Sequence, residues 1–255
     1  MSARNLSILL PPSKGKVNDV GASGPPYLAS LNAAHPLTIA RHQVFAAVSD
    51  GHRTLSSKAQ LRLYGVGEAV REVTRAQIDA LGAAPTRPAR ERYHGVVYTN
   101  AGLADTANDH PNVHVYIVSA LLGIAELDTA VPNYRLEFGA SLPNFGSLAR
   151  FWAAAVAGFL TERLHDTDVW NLLPNEHRSI LSEIPALPQL IDVKFVTPAG
   201  ALANAARTKV AKGQIVQTLR RNGPMSVTAF AASNPLKPGW DCHAEGNRLT
   251  AVCRL

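Results

Sequence analysis

The chain has 255 residues, 46% hydrophobic and 17% charged, which fits one large core or two modest ones and excludes a disordered chain. A formal net charge of +6 and a pI near 9.5 favour anionic partners, from phosphate and carboxylate metabolites to nucleic acid, without choosing among them. Two cysteines, Cys242 and Cys253, make neither a zinc spacing nor a disulfide framework.

Residues 6–10 read as a short buried strand, closed by Pro11-Pro12. This run falls short of the roughly 7–15 apolar residues of a signal-peptide core. No run reaches the ~18–20 apolar residues that span a bilayer, so a soluble, cytoplasmic protein is expected. Ser13-Lys14-Gly15-Lys16 then reads as a flexible basic loop. It lacks the spaced glycines and the Ser/Thr after lysine of a Walker A loop. Its S-x-x-K spacing has no K-T-G to complete an acyl-serine site. Lys14 is expected to face a phosphate or carboxylate, the plainer alternative being a solvated lysine.

Residues 21–26 form a loop and 27–47 a mixed, partly helical stretch. Over 56–78, Leu61, Leu63, Val66, Val70 and Val73 are the apolar positions of a helical pattern interrupted by Gly65-Val66-Gly67. Two glycines between helices match a helix-hairpin-helix, whose amides approach a phosphate; helix–turn–helix packing without DNA gives the same pattern. Residues 85–92, rich in proline and arginine, read as a linker or surface segment. Residues 93–99 read as a strand and 103–108 as a short polar helix or loop.

The most informative stretch is 113–139. An apolar run over 115–122 ends at Gly123, and an irregular acidic segment with Glu126 and Asp128 follows. Then comes Pro132-Asn133-Tyr134-Arg135-Leu136-Glu137-Phe138-Gly139. A buried strand emptying into such a loop is where α/β proteins place ligands. Residues 148–164 form an amphipathic helix with Leu148, Trp152, Val156, Phe159, Leu160 and Leu164 on one face. Residues 168–173 read as a strand, with a helix start at Pro174-Asn175-Glu176-His177. Another strand covers 191–196, and a basic helix covers 204–221, with Lys209 and Lys212 on a shared face. Residues 240–255 resemble a terminal hairpin. The pattern indicates an α/β (α+β) fold with a mixed central sheet and surrounding helices, one domain over 1–255.

Several motifs occur together in order. They are Leu9-Leu10-Pro11-Pro12-Ser13-Lys14-Gly15-Lys16, Tyr93-x-Gly95-x-x-Tyr98, Tyr134-Arg135-Leu136-Glu137-x-Gly139, Phe151-Trp152, Asn171-Leu172-x-x-x-Glu176 and Lys209-x-x-Lys212-Gly213. In this order and spacing the chain resembles the YaaA family (DUF328/UPF0246), the peroxide stress response proteins. The resemblance implies a single α/β domain with a helix-hairpin-helix-like segment over about residues 54–83. It also implies a tie to protection from oxidative damage and to iron control, and DNA binding, but no defined reaction. The chain departs from the family pattern at Leu122, Glu126, Leu127 and Thr129, and at Pro174 and His177. Glu126 replaces an arginine; in a pocket wall that reversal would change the ligand, while drift at a solvent-facing turn is the duller explanation.

Strand ends bearing Lys14, Tyr98, Tyr134-Arg135 and Asn171 with Glu176, faced by Lys209 and Lys212, are expected to form a cationic pocket. In one reading the chain is a stress protein that binds nucleic acid, with Gly65 and Gly67 at the phosphate. In the other it is an enzyme acting on a small anionic metabolite or nucleotide. Lys14 and Arg135 would then clamp the anion, with Tyr134, Lys212, Asn171 and Asp128 also in the binding set. Glu137, Glu176 or Asp128 would serve as acid or base, and Tyr98 or Tyr134 as hydrogen-bond donor. Lys209 or Lys212, if buried beside another cation, would be an amine of lowered pKa acting as base or Schiff-base nucleophile. No cofactor is indicated. His94, His110, His114, His177 and His243 show no ligand spacing, so no metal is expected.

Overall fold

Seven strands form the central sheet in the computed structural model, which describes residues 5–22, 24–185, 187 and 189–254. They are β1 (Asn5–Leu10), β2 (Val113–Ser119), β3 (Gly123–Glu126), β4 (Thr167–Asn171), β5 (Leu190–Val196), β6 (Trp240–Glu245) and β7 (Arg248–Cys253). The spatial order is β6-β7-β5-β4-β1-β2-β3. The five inner strands run parallel, and the antiparallel partners β6 and β3 close the edges. Parallel strands are covered on both faces and read as continuous apolar runs. β1 behaves this way, with Leu6, Ile8, Leu9 and Leu10 all fully buried.

The helices are α1 (Thr38–Thr54), α2 (Ser57–Tyr64), α3 (Arg71–Asp79), α4 (Val96–Ala101), α5 (Leu148–Leu164), α6 (Ala205–Asn222) and α7 (Val227–Ser233), with shorter turns between them. α5 starts where the Ser147 hydroxyl accepts from the Arg150 amide, and it buries Trp152, Val156 and Leu160. α6 starts at Asn204, whose side chain accepts from the Ala206 and Arg207 amides. Both are ordinary N-caps that satisfy otherwise orphaned donors. Among the described residues, no helix is long and apolar enough to cross a membrane.

The connectivity decides where a ligand can sit. From β1 the chain passes to β2 on one side, then crosses to β4 on the other, and continues outward through β5 to β7. Counted along the chain, the five parallel strands therefore lie in the order 2-1-3-4-5. The loops leaving β1 and β4 diverge, opening a crevice at the carboxyl end of the sheet, the topological switch point of doubly wound folds.

The structure departs from the sequence reading in four places. Residues 96–101 are helical rather than extended, because α4 is packed along α6, and that packing overrides the β propensity of Val96-Val97-Tyr98-Thr99. Residues 85–92 are not a surface linker. Thr86–Pro88 pairs with Ala130–Pro132, and Arg92 is fully buried. The Arg92 guanidinium donates to the carbonyls of Val131, Val17, Asn18 and Pro85 and pairs with Asp19 at 2.8 Å, so its charge is satisfied inside the protein. The loop 13–16 is pinned, not free. The His94 amide donates to the Gly15 carbonyl at 3.0 Å, and the Val17 amide to the Arg92 carbonyl at 2.9 Å. Finally, the segment after Gly123 is the edge strand β3, paired with β2, rather than irregular.

Candidate functional site

A cavity of about 690 Å³ lies at the switch point. The β1 loop supplies Pro11 through Lys16, and the β4 loop supplies Pro174, Glu176 and His177. Tyr134 to Phe138 form another wall, residues 94–98 a third, and α6 adds Thr208, Lys209 and Lys212. A second cavity of about 530 Å³ shares Glu137, Phe138, Glu176 and His177 with the first and extends over Leu55, Ala59 and Leu63.

Eight of the ten catalytic and ligand-binding residues named from sequence line the larger cavity: Lys14, Tyr98, Tyr134, Arg135, Glu137, Glu176, Lys209 and Lys212. Two do not. Asn171 is buried, and its side-chain oxygen accepts from the Leu173 amide at 3.1 Å, so it shapes the β4 loop from below. Asp128 is on an exposed turn, paired with Arg90 at 2.8 Å. Leu122, Glu126, Leu127 and Thr129, the family departures around it, are likewise absent from the cavity wall.

Close packing explains two of the sequence motifs. A Cβ added at Gly213 would lie 2.5 Å from the Asn100 Cβ and 2.6 Å from the Val97 carbonyl oxygen. Only glycine allows α6 to approach α4 this closely, which brings Lys212, the preceding residue, and Lys209, one turn earlier, to the cavity. Gly65 ends α2 in the left-handed region (φ 62°), and a Cβ there would overlap the Glu137 carboxylate. Gly65 therefore backs onto a carboxylate, and the Val66 amide is already committed to the Leu61 carbonyl at 3.2 Å. A Cβ at Gly67 would meet only open space. A turn joins two helices here, but the side facing Glu137 is unsuited to a phosphate.

Charge in the cavity is unbalanced. Lys14, Lys16, Arg135, Lys209 and Lys212 face only Glu137 and Glu176. Lys14 forms an ion pair with Glu137. Arg135 and Lys209 have no ion-pair partner among the described residues. Lys212 donates to the Leu172 carbonyl at 2.7 Å, and burial followed by repulsion from Arg178 lowers its pKa to about 8. Both tyrosine hydroxyls expected to serve a ligand are engaged within the protein. Tyr98 donates to the Pro11 carbonyl at 2.8 Å, while Tyr134 joins Ser119 at 2.7 Å and Tyr93 at 3.1 Å. Burial holds both phenols well above their ordinary pKa. The tyrosines thus present ring faces rather than hydroxyls to the cavity.

Residues 6–237 match the family described as "Peroxide stress protein YaaA". The chain belongs to this family. A UPF0246 protein of Corynebacterium efficiens is 28% identical over 228 residues, covering 87% of this chain and 88% of that protein. One from Desulforapulum autotrophicum is 26% identical over 227 residues, covering 83% and 87%. A third, from Corynebacterium glutamicum, is 34% identical over 136 residues, covering 53% and 52%.

Lys16 and His177 are cavity residues that the sequence reading did not place in the site. Lys14 and Lys16 are two apart, and in an extended segment such residues share a face; that spacing was the available signal. Lys16 Nζ lies 4.1 Å from the Tyr134 ring centre and 5.3 Å from that of Tyr93, and it donates to the Ser13 carbonyl at 3.0 Å. Burial, then the charges of Arg135 and Arg92, lower its pKa to about 7. His177 is 7% exposed and stacks on Phe138 with ring centres 5.0 Å apart. Its Nδ1 is 3.4 Å from Glu176 without hydrogen-bond geometry, and burial lowers its pKa against the opposing pull of Glu176 and Glu137. Of the family departures noted above, His177 and Pro174 face the cavity. Among the described residues, no group of three or more His, Cys, Asp or Glu could hold a metal ion.

Proposed function

We propose that this YaaA-family protein binds a small anionic ligand, a phosphorylated or carboxylated metabolite or a nucleotide, in the switch-point cavity. The observation that supports this reading is the convergence of five cationic side chains from three separate stretches of chain on a space with two carboxylates. Volume points the same way, since small-molecule sites occupy roughly 300–1,000 Å³ and the cavity measures about 690 Å³. Arg135 is the principal anchor, because its planar fork matches carboxylate and phosphate oxygens and no protein carboxylate occupies it. Lys14 is held by Glu137 until an anion competes for it.

The family's description as a peroxide stress protein supports looking for the role of this binding in peroxide stress. Titration calorimetry with inorganic phosphate, nucleoside phosphates, 2-oxo acids and a duplex oligonucleotide tests the proposal. A small anion should bind, with affinity lost in Arg135→Ala. Binding of the duplex alone, falling steeply with salt as phosphate-backbone contacts do, would replace the pocket reading with a nucleic-acid one. A host strain lacking the protein, challenged with hydrogen peroxide, tests the attachment to stress.

A further inference from the structure

The geometry points to Lys16 as a reactive amine that condenses with the carbonyl group of an anionic oxo compound, an aldehyde or 2-oxo acid bearing carboxylate or phosphate. This inference rests on the anion-binding reading above, since the anion is what brings the carbonyl to the amine.

Four lysines line the cavity, and their surroundings differ. Lys14 is paired with Glu137. Lys209 is on the exposed side of α6, and Lys212 and Lys16 each donate one hydrogen bond to a backbone carbonyl, of Leu172 and Ser13 respectively. Lys16 alone is set over aromatic faces, those of Tyr134 and Tyr93, in a segment fixed by backbone hydrogen bonds to residues 92–94. No carboxylate among the described residues lies within ion-pair distance of its nitrogen. The nearby charges that act on it are cations, Arg135 and Arg92. An aromatic face attracts an ammonium by about 0.5–2 kcal/mol, yet burial and the two arginines still bring the pKa to about 7. A substantial share of the amine is then neutral near pH 7, whereas an ordinary lysine is almost wholly protonated there. Its lower basicity returns part of that gain.

The step balances without an oxidant or reductant. The Lys16 nitrogen adds to the carbonyl carbon, forming a C–N bond. The two amine hydrogens leave with the carbonyl oxygen as water, giving a C=N bond. Arg135, beside Lys16, would hold the substrate's anionic group, and the bonded Tyr93–Tyr134–Ser119 chain keeps the ring under the amine in place.

Glyoxylate, the smallest aldehyde carrying a carboxylate, is a suitable probe. The full-length protein is incubated with it and cyanoborohydride at pH 7, and the reduced adducts are located by peptide mass spectrometry. Lys16 should be labelled about tenfold or more faster than the other cavity lysines. Arg135→Ala should slow that labelling by about tenfold, with Arg135→Lys intermediate, and inorganic phosphate should protect. Equal labelling of all four lysines, or dominant labelling of Lys212, overturns the inference, while protection of these lysines by phosphate would leave the anion site standing. If uncharged propionaldehyde labels Lys16 as fast as glyoxylate does and phosphate gives no protection, the anion-binding reading falls and takes this inference with it.

Discussion

Two groups of cationic side chains in this molecule have opposite environments. Arg92 and Arg220 are inside the fold, 0% and 1% exposed. Arg92 is saturated by four backbone carbonyls and Asp19. Arg220 donates to the carbonyls of Ala101, Gly102 and Asp105 and to Asp109. In the cavity, by contrast, Arg135 and Lys209 have no ion-pair partner among the described residues, and Lys16 rests on aromatic rings. A buried charge must be paired or hydrogen-bonded. The first group obeys this within the protein and acts as internal bracing. In the second, no carboxylate pairs with Arg135, Lys209 or Lys16 among the described residues, and Lys16 donates to the Ser13 carbonyl.

Substitutions should separate the two groups. The largest effect is expected for Arg92→Ala, which strands Asp19 and four acceptors and should cost about 3–5 kcal/mol of stability; a denaturant titration that shows less than ~1 kcal/mol would remove the bracing role. Arg135→Ala should do the reverse. Its midpoint should move by less than ~0.5 kcal/mol, while anion affinity drops by about 10- to 100-fold, as for a charge-assisted hydrogen bond.

Lys16→Met should stabilise the protein at neutral pH by up to about 3–4 kcal/mol, because each pKa unit is worth 1.36 kcal/mol and the ring faces offset part of the penalty. The sign follows from a folded pKa near 7 below the ordinary 10.5. Folding opposes protonation, so the penalty is complete below pH 7 and is released as pH rises toward 10.5. The advantage of the methionine variant should shrink over that window in melts run at successive pH values, and a constant difference would contradict it. The smallest change is expected for Asp128→Asn. Its carboxylate is 80% exposed opposite Arg90, so about 0–1 kcal/mol and unchanged anion binding are anticipated. Lost binding in that variant would return the 126–128 turn to the site.

Much of the sheet was legible because buried parallel strands are continuous apolar runs, as in residues 6–10 and 115–119, and α5 showed its helical face through Trp152, Val156 and Leu160. The Arg-Pro segment 85–92 was misread for a physical reason. Arginine normally marks a surface, and only tertiary structure could deliver the carbonyls that satisfy Arg92. The helix over 96–101 was hidden because its stability comes from α6, more than a hundred residues away. In the candidate site, motif spacing brought Lys14, Arg135 and Lys209 into one hypothesis. No local pattern could reveal that the Tyr98 and Tyr134 hydroxyls turn inward to Pro11 and Ser119, or that Gly65 serves to admit Glu137.

On the proposed reading, the cations of the switch-point cavity serve a small anion. Crystals grown with tungstate test it directly, since the heavy oxyanion is located by its anomalous scattering. The expected result is a peak in the cavity in contact with Arg135 and near Lys14 or Lys209, absent in Arg135→Ala crystals. A peak confined to the Gly65-Val66-Gly67 turn, or an empty cavity at saturating tungstate, would contradict the account.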